Sequence, residues 1–169
     1  GRTKRYPESC PVCGSKKIKE FGIGTEQVED ITRKTFPNAR VQRMDRDTTA
    51  RKNAHSNIYN EMNEGKIDIL IGTQMIAKGL DFKNVTLVGI LAADMALRIQ
   101  DYRAPEWTYS LIRQVAGRSG RGDKDGRVIL QTYQPDHYAI DYSVKSSYTD
   151  FYRKEILIRD EFKYPPFYN

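Results

Sequence analysis

From Gly24 onward the chain alternates between two spacings of apolar residues. Val28, Ile31, Thr32, Thr35 and Phe36 recur at helical intervals until Pro37 stops them. Ala39 to Met44 reads as a short strand, and residues 48–63 return to helical spacing through Ala54, Ile58 and Met62, with Gly65 as a C-terminal stop. Three β-branched runs follow, Ile67 to Ile71, Val85 to Leu91 and Val128 to Tyr133; a helical pattern begins near Trp107 and carries Leu111, Ile112 and Val115. From His137 to Phe162, apolar residues including Ile140, Val144, Phe151 and Ile156 stand mostly three or four apart, which predicts one long amphipathic helix or two shorter ones packing on the sheet. Near-continuous apolar strands separated by helices predict a parallel sheet covered on both faces, an α/β fold. Residues 1–20 lack such a pattern and carry turn signals at Pro7, Pro11 and Gly14, so they form a small appendage.

Composition narrows the class only a little. The 169 residues fit one ordinary domain, and 38% hydrophobic content supports a core without any apolar run of the ~18 residues that a spanning helix needs. A net charge of +6 favours a polyanionic partner, though many basic proteins never touch nucleic acid. Two cysteines make no secreted disulfide framework, and a soluble, cytoplasmic protein is expected with no membrane partner.

The candidate chemistry sits in four segments. Gln114-Val115-Ala116-Gly117-Arg118-Ser119-Gly120-Arg121 sets a glutamine and two arginines around two glycines, and a planar guanidinium can neutralise charge developing on a transferred phosphoryl group. Its bland reading is a solvated, salt-bridged basic loop. Gly72-Thr73-Gln74, continuing to Gly79-Leu80-Asp81, follows a strand directly, where open parallel sheets collect ligands, or else forms a tight turn with a capping aspartate. Gly24-Thr25-Glu26 opens a helix whose free amides and dipole suit an anion, although Glu26 and Glu29 suit simple capping equally well. Cys10 and Cys13 have the C-x-x-C spacing of two zinc ligands, with free or oxidised thiols as the alternative, and His55 and His137 are too far along the chain to complete a site convincingly. Asp45, Arg46 and Asp47 are expected to tie loops by salt bridges without a catalytic part. The eleven tyrosines are expected to pack in the core more than to stack on bases.

These segments, with Met44-Asp45-Arg46-Asp47-Thr48-Thr49 and Asp101-Tyr102-Arg103-Ala104-Pro105-Glu106, resemble motifs V and VI and their neighbours in superfamily 2 helicases, and in their order resemble the second motor lobe of the bacterial PriA replication-restart helicases over nearly the whole chain. The resemblance implies a RecA-like α/β lobe at 21–163, a partial zinc-binding segment (half a zinc ribbon) at 1–20, and the start of a linker to a further C-terminal domain at 164–169. It implies an ATP-dependent 3′ to 5′ DNA helicase using ATP and Mg2+, with Zn2+ completed by cysteines upstream. Single-stranded and forked DNA, primosome proteins and single-strand-binding proteins are the implied partners.

Residue by residue, the resemblance makes Arg121 the arginine finger, with Arg118 and Gln114 supporting phosphates and lobe coupling. Gly79 and Asp81 face the nucleotide; Gly24, Thr25, Thr73 and Gln74 hold the DNA backbone. The family often has His where Leu80 stands. No G-x-x-x-x-G-K-[ST] loop or acidic box is present, so the chain reads as an excised lobe without ATPase activity of its own. A non-enzymatic nucleic-acid-binding module and a zinc-ribbon interaction domain stand as alternatives.

Overall fold

The computed structural model describes residues 9–15, 24–45, 48–49, 54–77, 82, 84–118 and 126–168. Helix α1 is Thr25–Thr35; β1 Val41–Met44; α2 Ala54–Asn63; β2 Ile69–Gly72; α3, a single turn, Gln74–Ala77; β3 Leu87–Ile90; a 3-10 helix Ala93–Arg98; α4 Ala104–Ala116; β4 Arg127–Leu130; α5 Tyr138–Val144; and α6 Tyr148–Glu161. No helix among the described residues is long and apolar enough to cross a membrane.

Local chemistry explains the element ends. Helix α1 carries Glu26 in its first turn and Arg33 and Lys34 in its last, complementing the helix dipole at both ends. Gly65, with φ of 70°, ends α2 in the left-handed region that favours glycine. Pro105 sits in the first turn of α4, where its missing N–H has no intrahelical partner to lose.

The strands are parallel, as expected, and among the described residues they form two separate pairs where one sheet was expected. Among the described residues β1 pairs with β2 in the register Val41 to Ile69 through Met44 to Gly72, and β3 pairs separately with β4 from Leu87 to Arg127 through Ile90 to Leu130. A β-branched run marks a strand without choosing its partner, so this division was not legible in the sequence. The strands are also shorter than the runs. Ala92 takes a left-handed φ of 48° and turns the chain into the 3-10 helix, while beyond β4 the Thr132 hydroxyl and Tyr133 amide both donate to the buried carboxylate of Asp94 at 3.0 Å. Burial alone would raise the Asp94 carboxyl, but these two bonds, its own backbone amide and the charge of Arg98 together hold it below its ordinary value.

Two cores result. Met44, Ile58, Ile67 and Phe82 pack beside β1 and β2, and Tyr109, Ala139 and Phe151 pack among the C-terminal helices. The tail is two helices, broken where Ser146 takes φ of 58° and Ser147 caps α6 by accepting from the Asp150 amide. It does not lie chiefly on the strands: α5 packs on α4 and α6 on α5, because Tyr109 of α4 offers Phe151 a stacked ring with centroids 4.3 Å apart. Tyr109 is thus a core residue, and Tyr138 and Tyr142 pack against the same cluster, whereas Tyr133, Tyr148 and Tyr152 are exposed.

Candidate functional site

Residues far apart in sequence meet at the carboxyl end of β1 and β2. Met44 and Gly72 are register partners, so Asp45 and Thr73 leave the pair side by side. The approach is tight enough to require glycine at 72, since a Cβ there would collide with the Met44 carbonyl oxygen and lie 2.6 Å from Cδ1 of Ile76. Beyond it Thr73 and Gln74 are exposed, Gln74 opening the turn α3.

Asp45 brings the start of α1 to the same place. Its carboxylate is buried and accepts from the Thr25 hydroxyl at 2.7 Å and the Thr48 amide at 3.0 Å, while Arg43 Nε lies 3.1 Å away. The Thr48 hydroxyl in turn accepts from the Asp45 amide at 2.9 Å, a reciprocal box that fixes the chain leaving β1. The Thr25 bond does most to hold the Asp45 carboxyl below its ordinary value, with Thr48 and Arg43 adding to it against the opposing effect of burial. Asp45 therefore ties neighbouring segments as its charge suggested, with two threonines among its partners beside Arg43; Arg46 and Asp47 lie outside the described residues. The signal that could have found this knot is Asp45 followed by Thr48 at the N-cap to N3 spacing.

Gly24, Thr25, Thr73 and Gln74 are thus gathered at one end of one strand pair. Gly24 is exposed with extended backbone, φ −64° and ψ 153°, and the first intrahelical bond of α1 runs from the Val28 amide to its carbonyl. The amides of Thr25, Glu26 and Gln27 precede that bond, the position from which a helix N-terminus meets anions.

Gln114 and Arg118 come from α4 and its exit. Gln114 is exposed on the last turn, and the Arg118 amide donates to the Val115 carbonyl at 3.0 Å just past Gly117. Helix α4 packs against both α3 and β3, so the helix carrying Gln114 neighbours the turn that begins with Gln74. Arg113 of the same turn is anchored by donating to the Ser146 hydroxyl at 2.6 Å. Gly79, Asp81 and Arg121 lie outside the described residues.

Cys10 and Cys13 stand on a tight turn in which the Gly14 amide donates to the Cys10 carbonyl at 2.8 Å and Gly14 takes φ of 68°. Both thiols are free; the Cys13 and Val12 amides and the Cys13 thiol hold the Cys10 thiol below its ordinary value. A turn that points amides at a sulfur favours the thiolate, the form in which cysteine binds metal, and so fits two of the four ligands zinc takes.

The model of the helicase conserved C-terminal domain family matches residues 13–123. The chain belongs to that family. It is also 52% identical over 168 residues to the replication restart protein PriA of Bacillus subtilis, a match spanning 99% of this chain and 21% of that protein. Against the replication restart protein PriA of Chlamydia pneumoniae the identity is 46% over 165 residues, 97% of this chain and 22% of the relative; against that of Treponema pallidum it is 42% over 168 residues, 99% and 25%. The chain spans about a fifth to a quarter of the length of these curated relatives.

Proposed function

We propose that the chain is the second motor lobe of an ATP-dependent DNA helicase that unwinds 3′ to 5′ and acts in the restart of stalled replication forks. The observation that carries this reading is the convergence of Gly24, Thr25, Thr73 and Gln74 at one strand-pair end, with the Gln114 helix packed beside the intervening turn. Contacts from amides and hydroxyls position a phosphate backbone without reading sequence, which suits a protein that moves along DNA. The cytoplasm, forked and single-stranded DNA, and primosome and single-strand-binding proteins belong to the same proposal.

In that mechanism Thr73 and Gln74 hold one stretch of backbone and the α1 amides another. Arg121 reaches across the cleft when the lobes close, and Arg118 and Gln114 link that movement to the DNA-contact surface through α4 and α3. Gly79 and Asp81 face the nucleotide. Bound ATP, with Mg2+, supplies the phosphoryl group whose transfer to water lets the lobes reopen. Cys10 and Cys13 supply half of a zinc site.

The test is Arg121→Ala in a protein carrying both lobes. ATP binding should persist while DNA-stimulated hydrolysis falls by roughly 10³ or more, the usual contribution of such a finger. The 169-residue chain by itself should hydrolyse no ATP. Parental turnover in the Arg121→Ala protein would remove this arginine, and the motor reading with it.

A further inference from the structure

We infer that Asp45 is a positioning residue for DNA binding, holding the start of α1 and the Thr73 loop at one fixed separation on the contact surface. The inference rests on reading that strand-pair end as a surface for the DNA backbone. Asp45 is 5% exposed, and both of its carboxylate oxygens are engaged, Oδ2 by Thr25 and Arg43 and Oδ1 by Thr48. Those partners belong to α1, to β1 and to the connection leaving β1, while Asp45 itself follows Met44, the register partner of Gly72. The carboxylate thus ties the start of α1 to the end of β1, and the register of Met44 with Gly72 sets the Thr73 loop beside that tie.

A buried ion pair is weak evidence for stability, because desolvation offsets most of its Coulomb gain; Arg43 and Asp45 are therefore better explained by the geometry they impose. Arg43 also lies 3.6 Å from Glu29 of α1, so the arginine bridges the same two elements from the flank. The arrangement assigns Thr25 a particular part. Its proton is given to Asp45, which leaves its oxygen only as an acceptor, and a phosphate there is met by the α1 amides instead. Thr25 acts as the tie that aims those amides, and Thr73 and Gln74, which are exposed, act as direct contacts.

The test is fluorescence anisotropy of a fluorescein-labelled single-stranded oligonucleotide titrated with this chain at low salt. Asp45→Asn should weaken binding roughly five-fold, and Thr25→Val should do the same, each removing one hydrogen-bonded tie. Because Thr25 acts only through Asp45, the double variant should bind no more weakly than Asp45→Asn alone. Thr25→Ser should recover the Thr25→Val loss by restoring the hydroxyl. Asp45→Asn binding at parental strength, or more tightly as mere removal of a negative charge would give, overturns the positioning role while leaving the surface intact. A parental chain with no salt-dependent binding overturns the surface, and the role with it. Should Asp45→Asn fail to fold by circular dichroism, the Thr25→Val and Thr25→Ser pair decides, since equal affinities for the two would overturn the inference.

Discussion

The two parallel strand pairs are built alike and finished differently. Each joins two four-residue strands, yet β1 and β2 bury Val41, Met44 and Ile71 beneath α1 and α2, whereas β3 and β4 leave Leu87 57% and Ile129 56% exposed. Their carboxyl ends differ in kind as well. At the first pair Asp45 gathers Thr25, Thr48 and Arg43, and Thr73 and Gln74 stand exposed beside it. At the second, Asp94 gathers Thr132 and Tyr133 and turns the chain inward, toward the 3-10 helix and α4. A buried carboxylate closes each pair; one organises a surface and the other organises packing. The lesson is that precision in this chain is concentrated where several segments must meet, not spread evenly over its strands.

The C-terminal half is packed around rings. Tyr109 stacks on Phe151, and Tyr138 lies 5.9 Å from Phe151 while its hydroxyl donates to Glu155 at 2.6 Å. Phe151→Ala should therefore produce the largest loss of stability, about 3–5 kcal/mol, since it empties the centre of the second core. Thermal unfolding followed by circular dichroism should show a midpoint lower by roughly 10 °C. At temperatures well below that midpoint, binding of single-stranded DNA through the Asp45 end should be unchanged. If the affinity falls in parallel with stability, the two halves are one cooperative body and the contrast drawn between them fails.

The glycines in the paired positions sharpen the comparison within the strands. At Gly72 an added Cβ meets the Met44 carbonyl oxygen and Ile76; at Gly89 it meets nothing within 4 Å. Gly72→Ala should destabilise by about 1–3 kcal/mol and push Thr73 out of place, so DNA affinity should drop as well. Gly89→Ala should be neutral or stabilising by about 0.5–1 kcal/mol, because alanine restricts the unfolded chain more than glycine does. Chemical denaturation of both variants measures the difference, and equal effects would show that the carboxyl end of β1 and β2 is no more tightly built than β3.

Much of this arrangement could be read from the residues beforehand. The end of α1 before Pro37, the stop at Gly65 and the parallel sense of the strands follow from local rules about proline, glycine and β-branched runs. Thr73 and Gln74 were legible as functional candidates because they leave a strand directly. What the sequence withheld was partnership. Apolar spacing identified a tail helix pattern but not that Tyr109 would draw Phe151 away from the strands, and the charge of Asp45 announced ion pairs without naming Thr25, twenty residues upstream, as a partner. Asp94 carried no signal, since its role depends on the left-handed turn at Ala92 and on strand β4, which arrives over thirty residues later. Pairings of this kind depend on tertiary geometry, which residue spacing does not encode.

The two halves should also respond differently to mild acid, an effect smaller than that of either core or glycine substitution. His137 is half-buried and caps α5 by accepting from the Ala139 amide through Nδ1 at 3.2 Å. Burial lowers its pKa below the ordinary histidine value, against a weaker opposing pull from Glu155. The folded state therefore favours the neutral ring, so its stabilising share is complete above about pH 7 and declines as pH falls through the ordinary histidine range toward 5. Protonation also removes the acceptor that caps α5, a loss of about 1 kcal/mol at most. Asp45, whose carboxyl is held low, keeps its contribution until pH falls below about 4. Hydrogen exchange should accordingly show the Ala139 amide losing protection between about pH 7 and 5, after correction for the intrinsic rate, while Val28 near the Asp45 knot does not. His137→Asn keeps a capping oxygen and removes the titration, so the Ala139 profile should flatten. An unchanged slope in that variant would place the acid sensitivity elsewhere, and the two ends of the molecule would no longer be distinguished by the groups that hold them.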